Sequence, residues 1–264
     1  MKVIIARDRE QLASFAAHFV VRQVQMKPDL VLGLATGTTM IGFYRELVAR
    51  HRAGQVSFRN VTTFNLDEYV QLPVDHAGSF HAYMRRHFLD HVDLPRERAF
   101  IPDGNAEPIL AETEAYEARI REHGGIDLQV LGLGQNGHIA FNEPGSSLSS
   151  RTRVKRLEPE TRAANAADFG GENWVPRYVI TMGVGTILDA RFVLLLASGI
   201  EKSRAVKATV EGPITAWWPA SALQMHRHAF ILLDSEAACL LGRRYDTVEE
   251  VLSDPYEEYF WEGK

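Results

Sequence analysis

The sequence contains a single cysteine, Cys239, in 264 residues. One cysteine excludes a disulfide within the chain and fits a reducing compartment. Long hydrophobic runs are also missing: Phe192–Ala197 has six residues, whereas a membrane-spanning helix needs about 20. The apolar run near the start, Val3–Ala6, is too short for a signal peptide. We therefore expect a cytoplasmic protein that makes no contact with a membrane.

Positive charge is not in excess either. The net charge is −5, with 29 lysines and arginines against 34 aspartates and glutamates. This balance excludes a general nucleic-acid-binding surface, so an anionic ligand would have to be met by a few placed groups. No second histidine or cysteine stands at ligand spacing from His138, and no nucleophile elbow is present. The sequence therefore predicts no metal site.

Apolar, β-rich runs alternate with helical patterns along the chain. The predicted strands are Val3–Ala6, Leu30–Ala35, Val61–Leu66, Leu128–Leu133, Tyr178–Met182, Phe192–Ala197 and Phe230–Leu233. The predicted helices are Asp8–Gln25, Thr39–Ala53, Ser79–His91, Pro108–His123 and Glu201–Val210. Most of the strands are continuously apolar, which is typical of strands buried on both faces of a parallel sheet. We expect an α/β fold with a doubly wound, mostly parallel, Rossmann-like sheet and helices on both faces.

The sequence shows no internal repeat and no interdomain linker, so we expect residues 1–264 to form a single domain. Within it, the stretch Ser149–Pro176 is polar and irregular and contains Gly170–Gly171. Mobile lids come from poorly packed segments of this kind. Residues 149–176 are therefore the predicted lid.

Ligands of open α/β sheets bind outside the carboxyl ends of the strands, and three segments place polar groups at such ends. The first is LGLATGTTM, residues 32–40, in which Thr36, Gly37, Thr38 and Thr39 lead into a helix. Backbone N–H groups at a helix N-terminus favour an anion such as phosphate. The GK[ST] of a Walker loop is missing. The alternative is an ordinary helix start with Thr38 or Thr39 as the N-cap.

The second segment is TTFNLDEYV, residues 62–70, which ends in the acidic pair Asp67 and Glu68. Neighbouring side chains of a strand point to opposite faces, so we expect only one of the two to enter a site. A helix N-cap or a solvated acidic turn is the alternative. The position at a strand end favours a catalytic role.

The third segment is GLGQNGHIAFNEPG, residues 132–145. Its glycines allow a tight turn and a close approach to a ligand. His138 lies between Asn136 and Glu143, and such neighbours can hold an imidazole in one tautomer for proton transfer. A satisfied buried histidine is the alternative.

These segments, together with GVGTILDA at residues 183–190, resemble the glucosamine-6-phosphate deaminases, from Lys2 to about Asp234. The last thirty residues carry no matching motif. The resemblance implies conversion of glucosamine 6-phosphate and water to fructose 6-phosphate and ammonia, without an organic cofactor. It makes Asp67 the base for C2 and C1, His138 the ring-opening group and Glu143 its relay partner. The Thr36–Thr39 loop and Lys202 would hold the phosphate of this small-molecule substrate.

The chain departs from the family pattern in three places. Asn136 replaces the aspartate found in some members, so it can orient the imidazole but cannot hold charge on it. The phosphate loop has Thr38 and Met40 where a small residue and a proline are usual. The lid pattern TRxANxR matches at residues 161, 162 and 165, but Ala167, next to Asp168, replaces the arginine that grips the phosphate. The sequence predicts that the phosphate is held less tightly than in relatives, unless Arg162 or Arg177 replaces the lost contact.

Some members are hexamers activated by N-acetylglucosamine 6-phosphate. Ser146, Arg153 and Lys155 match that effector site, whereas Arg156 stands where threonine is common. The resemblance favours a hexamer, but trimers and monomers also occur in such families. Three other functions stay open: a 6-phosphogluconolactonase, a sugar-phosphate sensor of a transcription regulator, and a deaminase for another amino sugar. The sensor would need a helix-turn-helix, and the chain begins almost directly with its first strand.

Overall fold

The computed structural model describes residues 1–254, with the side chain of Asp168 excepted. Residues 255–264 of the predicted domain therefore lie outside it. Eight parallel strands form the main sheet, in the order β11-β1-β10-β9-β6-β2-β3-β5. They are β1 (Lys2–Ala6), β2 (Val31–Leu34), β3 (Thr62–Asn65), β5 (Ala99–Phe100), β6 (Leu128–Gly132), β9 (Phe192–Ala197), β10 (Ala229–Asp234) and β11 (Asp246–Thr247). The prediction of an α/β fold with a mostly parallel sheet is confirmed.

The order of the strands shows that the sheet is doubly wound. From β2 the chain adds β3 and β5 toward one edge, and from β6 it adds β9 and β10 toward the other. Parallel crossovers are almost always right-handed, so the two directions place helices on opposite faces. The helices are α1 (Arg9–Met26), α2 (Thr38–Arg52), α3 (Phe80–His87), α4 (Ile109–Glu122), α5 (Pro159–Asn165), α6 (Val184–Leu188), α7 (Ser203–Glu211) and α8 (Val248–Leu252).

One continuous core lies between the main sheet and its helices. The central strands β2, β6, β9 and β10 are almost entirely buried, which explains their unbroken apolar sequences. Helix α1 buries an apolar stripe that includes Phe15, Phe19 and Val20, and the Asp8 side chain caps its N-terminus as predicted. This rigid sheet fixes the positions of the loops at its carboxyl edge.

A second sheet was not predicted. It contains β4 (Asp67–Tyr69), β8 (Tyr178–Thr181) and β7 (Arg153–Arg156), in the antiparallel order β4-β8-β7. The predicted strand Tyr178–Met182 is present as β8, but it lies in this second sheet and not in the main parallel sheet. Its apolar sequence indicates only that the strand is buried. Strand β8 lies between β4 and β7, and its Val179 belongs to a smaller apolar cluster with Tyr69 and Phe141. Sequence patterns cannot tell the two situations apart.

The description of residues 149–176 as irregular was also wrong. This segment contains β7, α5 and two short 3₁₀ turns, at Ala166–Phe169 and Glu172–Trp174. Strand β7 has the charged sequence RVKR, and α5 is only seven residues long, so neither gives a clear periodic signal. Across residues 1–254, no helix has the length and apolar character needed to cross a membrane.

Candidate functional site

The chain reverses its direction across the main sheet between β2 and β6. In doubly wound sheets, the carboxyl ends of the strands beside such a reversal form the ligand crevice. The loop after β2, Thr36–Thr39, and the loop after β6, residues 132–145, flank this point. Two of the three segments selected from the sequence therefore meet at the edge where a ligand is expected.

Two glycines determine the shape of the loop after β6. Gly137 has a φ of +81°, and a Cβ atom there would come within 2.5 Å of the Trp218 ring. A Cβ atom on Gly134 would lie 2.3 Å from the ring of His138. Glycine is therefore required at both positions, since a side chain would displace the imidazole or the tryptophan.

Glu143, Asn136 and His138 form a hydrogen-bonded chain. Asn136 Nδ2 donates to Glu143 Oε2 at 2.9 Å, and Asn136 Oδ1 lies 2.7 Å from His138 Nδ1. The carboxylate can only accept, so it turns the NH₂ of Asn136 toward itself and the amide oxygen toward the imidazole. His138 Nδ1 must then carry a hydrogen and donate it. The other ring nitrogen, Nε2, keeps a lone pair when the ring is neutral.

The surroundings of His138 favour the neutral ring. Burial lowers its pKa, Glu143 opposes this change, and the positive charge of Lys202 lowers the pKa further. Glu143 Oε2 lies 3.6 Å from His138 Nδ1 and is fully buried. His138 can therefore accept a proton at Nε2, and Glu143 can stabilise the charge that forms on the ring.

The acidic pair after β3 is divided between two tasks. Glu68 accepts hydrogen bonds from the Ser79 hydroxyl at 3.1 Å and from the backbone amides of Phe80 and His81 at 3.2 and 3.0 Å. It therefore holds the first turn of α3 and is a structural residue. Strand alternation directs the neighbouring Asp67 to the opposite face of β4.

The carboxyl of Asp67 is buried, and burial raises its pKa well above the ordinary value, with a further contribution from the negative charge of Glu68. No hydrogen bond from residues 1–254 reaches this carboxyl to offset the change. A carboxyl whose pKa is moved toward neutrality is suited to act as a general base.

The small sheet joins the acidic pair to the loop after β6. The backbone amide of Met182 donates to the carbonyl of Leu66 at 2.8 Å, directly before Asp67. Thr181 pairs with Asp67 across the sheet, and its hydroxyl accepts from the backbone amide of Phe141 at 3.0 Å. Thr181 and Met182 could not be selected from the sequence, because neither carries a titratable group.

The loop after β2 has an unexpected helix cap. Helix α2 begins at Thr38 and its N-cap is Gly37, with φ +108° and no side-chain hydrogen bond. The alternative in which Thr38 or Thr39 caps the helix was therefore wrong. Because the cap has no side chain, the first backbone N–H groups of α2 stay available to an anion.

Lys202 adds a positive charge near the loop after β6. It lies directly before α7, burial lowers its pKa, and its charge affects the ring of His138. Lys202 therefore lies close enough to His138 for its charge to act on the imidazole. Its joint role with the Thr36–Thr39 loop in holding a phosphate stays a prediction.

The lid brings Thr161 to the site, a residue that was not selected from the sequence as a site residue. Its hydroxyl donates to Glu143 Oε1 and is buried. Its match to the lid pattern was the only signal. The next residue, Arg162, donates to the carbonyls of Glu172 at 2.7 Å and Val175 at 3.3 Å, so its guanidinium is used within the lid. Ala167 is exposed.

Two of the three residues selected for an effector site, Arg153 and Lys155, lie on β7. They are two positions apart on this strand and therefore share one face. The hydroxyl of Ser146 is buried and has no hydrogen-bond partner among the described residues. Arg156 is exposed at the end of the strand.

Within residues 1–254, no three histidine, cysteine, aspartate or glutamate side chains are grouped as metal ligands. Two open clefts, of about 470 and 430 Å³, lie away from the crevice, around Arg191 and His228 and around His51 and Asp93 respectively. Neither contains any of the residues described above, so the chemistry is concentrated at the carboxyl edge of the sheet.

Known proteins resemble this chain over most of its length. A family model described as glucosamine-6-phosphate isomerases/6-phosphogluconolactonase matches residues 7–232. A glucosamine-6-phosphate deaminase of Hahella chejuensis is 52% identical over 241 residues, which cover 91% of this chain and 92% of the relative.

Solved structures give the same result. A monomeric glucosamine-6-phosphate deaminase is 46% identical, with a TM-score of 0.89, and the match covers 91% of this chain and 100% of that one. A 6-phosphogluconolactonase from Trypanosoma cruzi is 23% identical, with a TM-score of 0.75, over 92% of this chain and 97% of its own. The second likeness shows the fold alone.

Proposed function

The chain belongs to the family of glucosamine-6-phosphate isomerases and 6-phosphogluconolactonases, and we propose that it acts as a glucosamine-6-phosphate deaminase. It converts glucosamine 6-phosphate and water to fructose 6-phosphate and ammonia, in the breakdown of amino sugars. The reaction opens the sugar ring, moves a proton between C2 and C1, and releases the amine.

Two separate proton-transfer groups carry the proposal. The carboxyl of Asp67 has a raised pKa and lies at one side of the crevice edge, while the neutral ring of His138 is held by Asn136 and Glu143 in the adjoining loop. Asp67 removes the proton from C2 and delivers one to C1. His138, with Nε2 free, exchanges protons with the ring oxygen and the anomeric hydroxyl. Lactone hydrolysis would need no base at a carbon atom, so this pairing favours the deaminase.

The Thr36–Thr39 loop and Lys202 bind the phosphate of the substrate in this proposal. The loop offers the uncapped N–H groups of α2, and Lys202 supplies a positive charge. Asn136 keeps the imidazole in the required tautomer but takes no proton itself.

Ammonia release with glucosamine 6-phosphate is the direct test, with unphosphorylated glucosamine, galactosamine 6-phosphate and 6-phosphogluconolactone as comparison substrates. Ammonia and fructose 6-phosphate should form in equal amounts from glucosamine 6-phosphate. If the lactone is hydrolysed faster than glucosamine 6-phosphate is deaminated, the proposal is overturned. If galactosamine 6-phosphate is turned over faster, it replaces glucosamine 6-phosphate as the proposed substrate.

N-acetylglucosamine 6-phosphate is the proposed effector, supported by the buried hydroxyl of Ser146, which has no hydrogen-bond partner among the described residues, and by Arg153 and Lys155 on one face of β7. The compound should raise activity at low substrate concentration, and Arg153→Ala should remove this response. An unchanged rate with the effector would exclude the site. The family resemblance favours a hexamer, whereas the solved relative is monomeric. Light scattering with and without effector distinguishes the two states, and cell fractionation tests the proposed cytoplasmic location.

A further inference from the structure

The side chain of Thr161 joins the lid to the catalytic relay, which is the hydrogen-bonded chain of Glu143, Asn136 and His138. Thr161 lies in the first turn of α5, and its hydroxyl donates to Glu143 Oε1. Glu143 is fully buried, and Asn136 donates to its other oxygen, Oε2. Among residues 1–254, each carboxylate oxygen of Glu143 thus has one side-chain donor, and one of the two comes from the lid.

Thr161 can reach Glu143 only when α5 is packed against the domain. The segment around α5 is held together by its own contacts: Asn165 Nδ2 donates to the Thr161 carbonyl at 2.8 Å, and Arg162 joins α5 to the turn at Glu172. At the far end of the lid, the Phe169 ring contacts the ring of Tyr69 at a centroid distance of 5.1 Å, two residues after Asp67. The lid therefore rests on both halves of the site at once.

The loss of the Thr161 hydrogen bond would change the relay. A buried carboxylate with one donor fewer is less well stabilised and is free to rotate. Asn136 takes its orientation from Glu143, and His138 takes its tautomer from Asn136. A disturbance at Glu143 is thus transmitted to the ring nitrogen that handles the substrate proton.

We propose that Thr161 is a positioning residue that couples closure of the lid to the ring-opening step, by completing the hydrogen bonds of Glu143. This inference rests on the proposed function, because it assigns the relay to ring opening. The reaction then depends on a residue of the lid as well. The hydrogen bonds that orient His138 are complete only when the lid covers the substrate.

The test compares Thr161→Val, which keeps the shape but has no donor, with Thr161→Ser, which keeps the donor. Two substrates are used: glucosamine 6-phosphate, and an analogue without the 4- and 5-hydroxyl groups, which cannot form a ring. Thr161→Val should lower kcat on the cyclic substrate by about 10- to 100-fold, with KM within about threefold of wild type. The rate on the open-chain analogue should stay near wild type, and Thr161→Ser should recover most of the loss.

Ala164→Gly is the matched control, since it weakens α5 at an exposed position without touching Glu143. It should affect both substrates alike. In the Glu143→Gln background, Thr161→Val should lower kcat on the cyclic substrate by less than about twofold further, because both changes act on one hydrogen bond. If Thr161→Val lowers kcat equally on the two substrates, or if Thr161→Ser does not recover kcat, Thr161 only stabilises the lid. If the wild-type enzyme releases no ammonia from glucosamine 6-phosphate, the proposed function fails before this comparison begins.

Discussion

Asp67 and Glu68 are neighbours with the same charge, yet the fold uses them differently. Glu68 receives donors from the start of α3, whereas Asp67 is buried without such donors. The unequal supply of hydrogen bonds leaves Glu68 as an anchor of α3 and makes Asp67 the proposed reactive carboxyl.

The exchange of the C2 hydrogen tests the role of Asp67. Asp67→Asn keeps the shape of the side chain but removes the base, so isomerisation should stop while the substrate still binds. The measurement is incorporation of deuterium at C2 in heavy water, with binding followed by calorimetry. Exchange at the wild-type rate in the variant would assign the base to another residue.

The same substitution should change the dependence of stability on pH. Because burial raises the pKa of Asp67, the folded protein keeps this proton at pH values where the unfolded chain has lost it. The stability associated with the neutral carboxyl is complete below the ordinary pKa of 3.8 and is lost as the pH rises through the raised value. Asp67→Asn stays neutral, so its Tm should exceed that of wild type at about pH 8 and match it near pH 4.

Calorimetric melting across this pH range is the measurement, with the exposed Asp75→Asn as the control. The control should melt like wild type at every pH. A variant that is no more stable than wild type at alkaline pH would show that the carboxyl of Asp67 is not buried in its charged form.

Ring opening is the step that His138 should govern. His138→Gln removes the ring nitrogen that accepts a proton, so turnover of glucosamine 6-phosphate should fall by about 10²- to 10⁴-fold. The loss on an open-chain analogue should be much smaller, since the carbon chemistry belongs to Asp67. Steady-state rates on both substrates provide the comparison, and equal losses would mean that His138 has another role.

At the scale of the element, the lid contains one of the three departures from the family pattern. The arginine expected to grip the phosphate is Ala167, which is exposed. Arg162 cannot replace it in this arrangement, because its guanidinium binds the carbonyls of Glu172 and Val175. Arg177 is exposed at the end of the lid. We therefore expect phosphate binding to depend more on Lys202 and the Thr36–Thr39 loop.

Restoring the arginine should strengthen substrate binding. A charge-assisted hydrogen bond contributes about 1.5–3 kcal/mol, so Ala167→Arg should lower KM for glucosamine 6-phosphate by at least several-fold, up to about 150-fold. The change should leave kcat nearly constant, because the phosphate lies far from the bonds that react. Ala167→Gln is the uncharged control of similar length. An unchanged KM would show that the phosphate is already held by another basic group.

Activity of the wild-type enzyme on unphosphorylated glucosamine is the complementary measurement. This activity should be detectable. Ala167→Arg should leave it unchanged while lowering KM for glucosamine 6-phosphate.

The pairing of the small sheet could not be predicted from the sequence. The apolar run Tyr178–Met182 correctly predicted a strand, but it pairs with β4 and β7 and not with the main sheet. Strand β4 is only three residues long and β7 is charged, so local patterns gave no partner for β8. Pairing partners are selected by contacts between distant parts of the chain.

At the scale of the whole molecule, the reaction is expected to run on acids and bases alone. The described residues contain no cluster of metal ligands, and the proposed steps are proton transfers. Dialysis against a strong chelator should leave kcat and KM unchanged, with metal content measured by mass spectrometry. A loss of turnover that is restored by one metal ion would replace the acid–base mechanism.

The sequence by itself determined the α/β class, most of the main strands and helices, and the three loops at the carboxyl edge of the sheet. Buried strands and amphipathic helices leave regular patterns, and the glycines, His138 and the acidic pair stand in short segments with local chemical meaning. Tertiary structure alone decided which carboxyl of Asp67 and Glu68 is left without hydrogen-bond donors within residues 1–254. It also decided how Asn136 directs the tautomer of His138, and that Thr161 reaches Glu143. These features depend on hydrogen bonds between side chains far apart in the chain, whose partners are set by the packing of the two sheets and the lid.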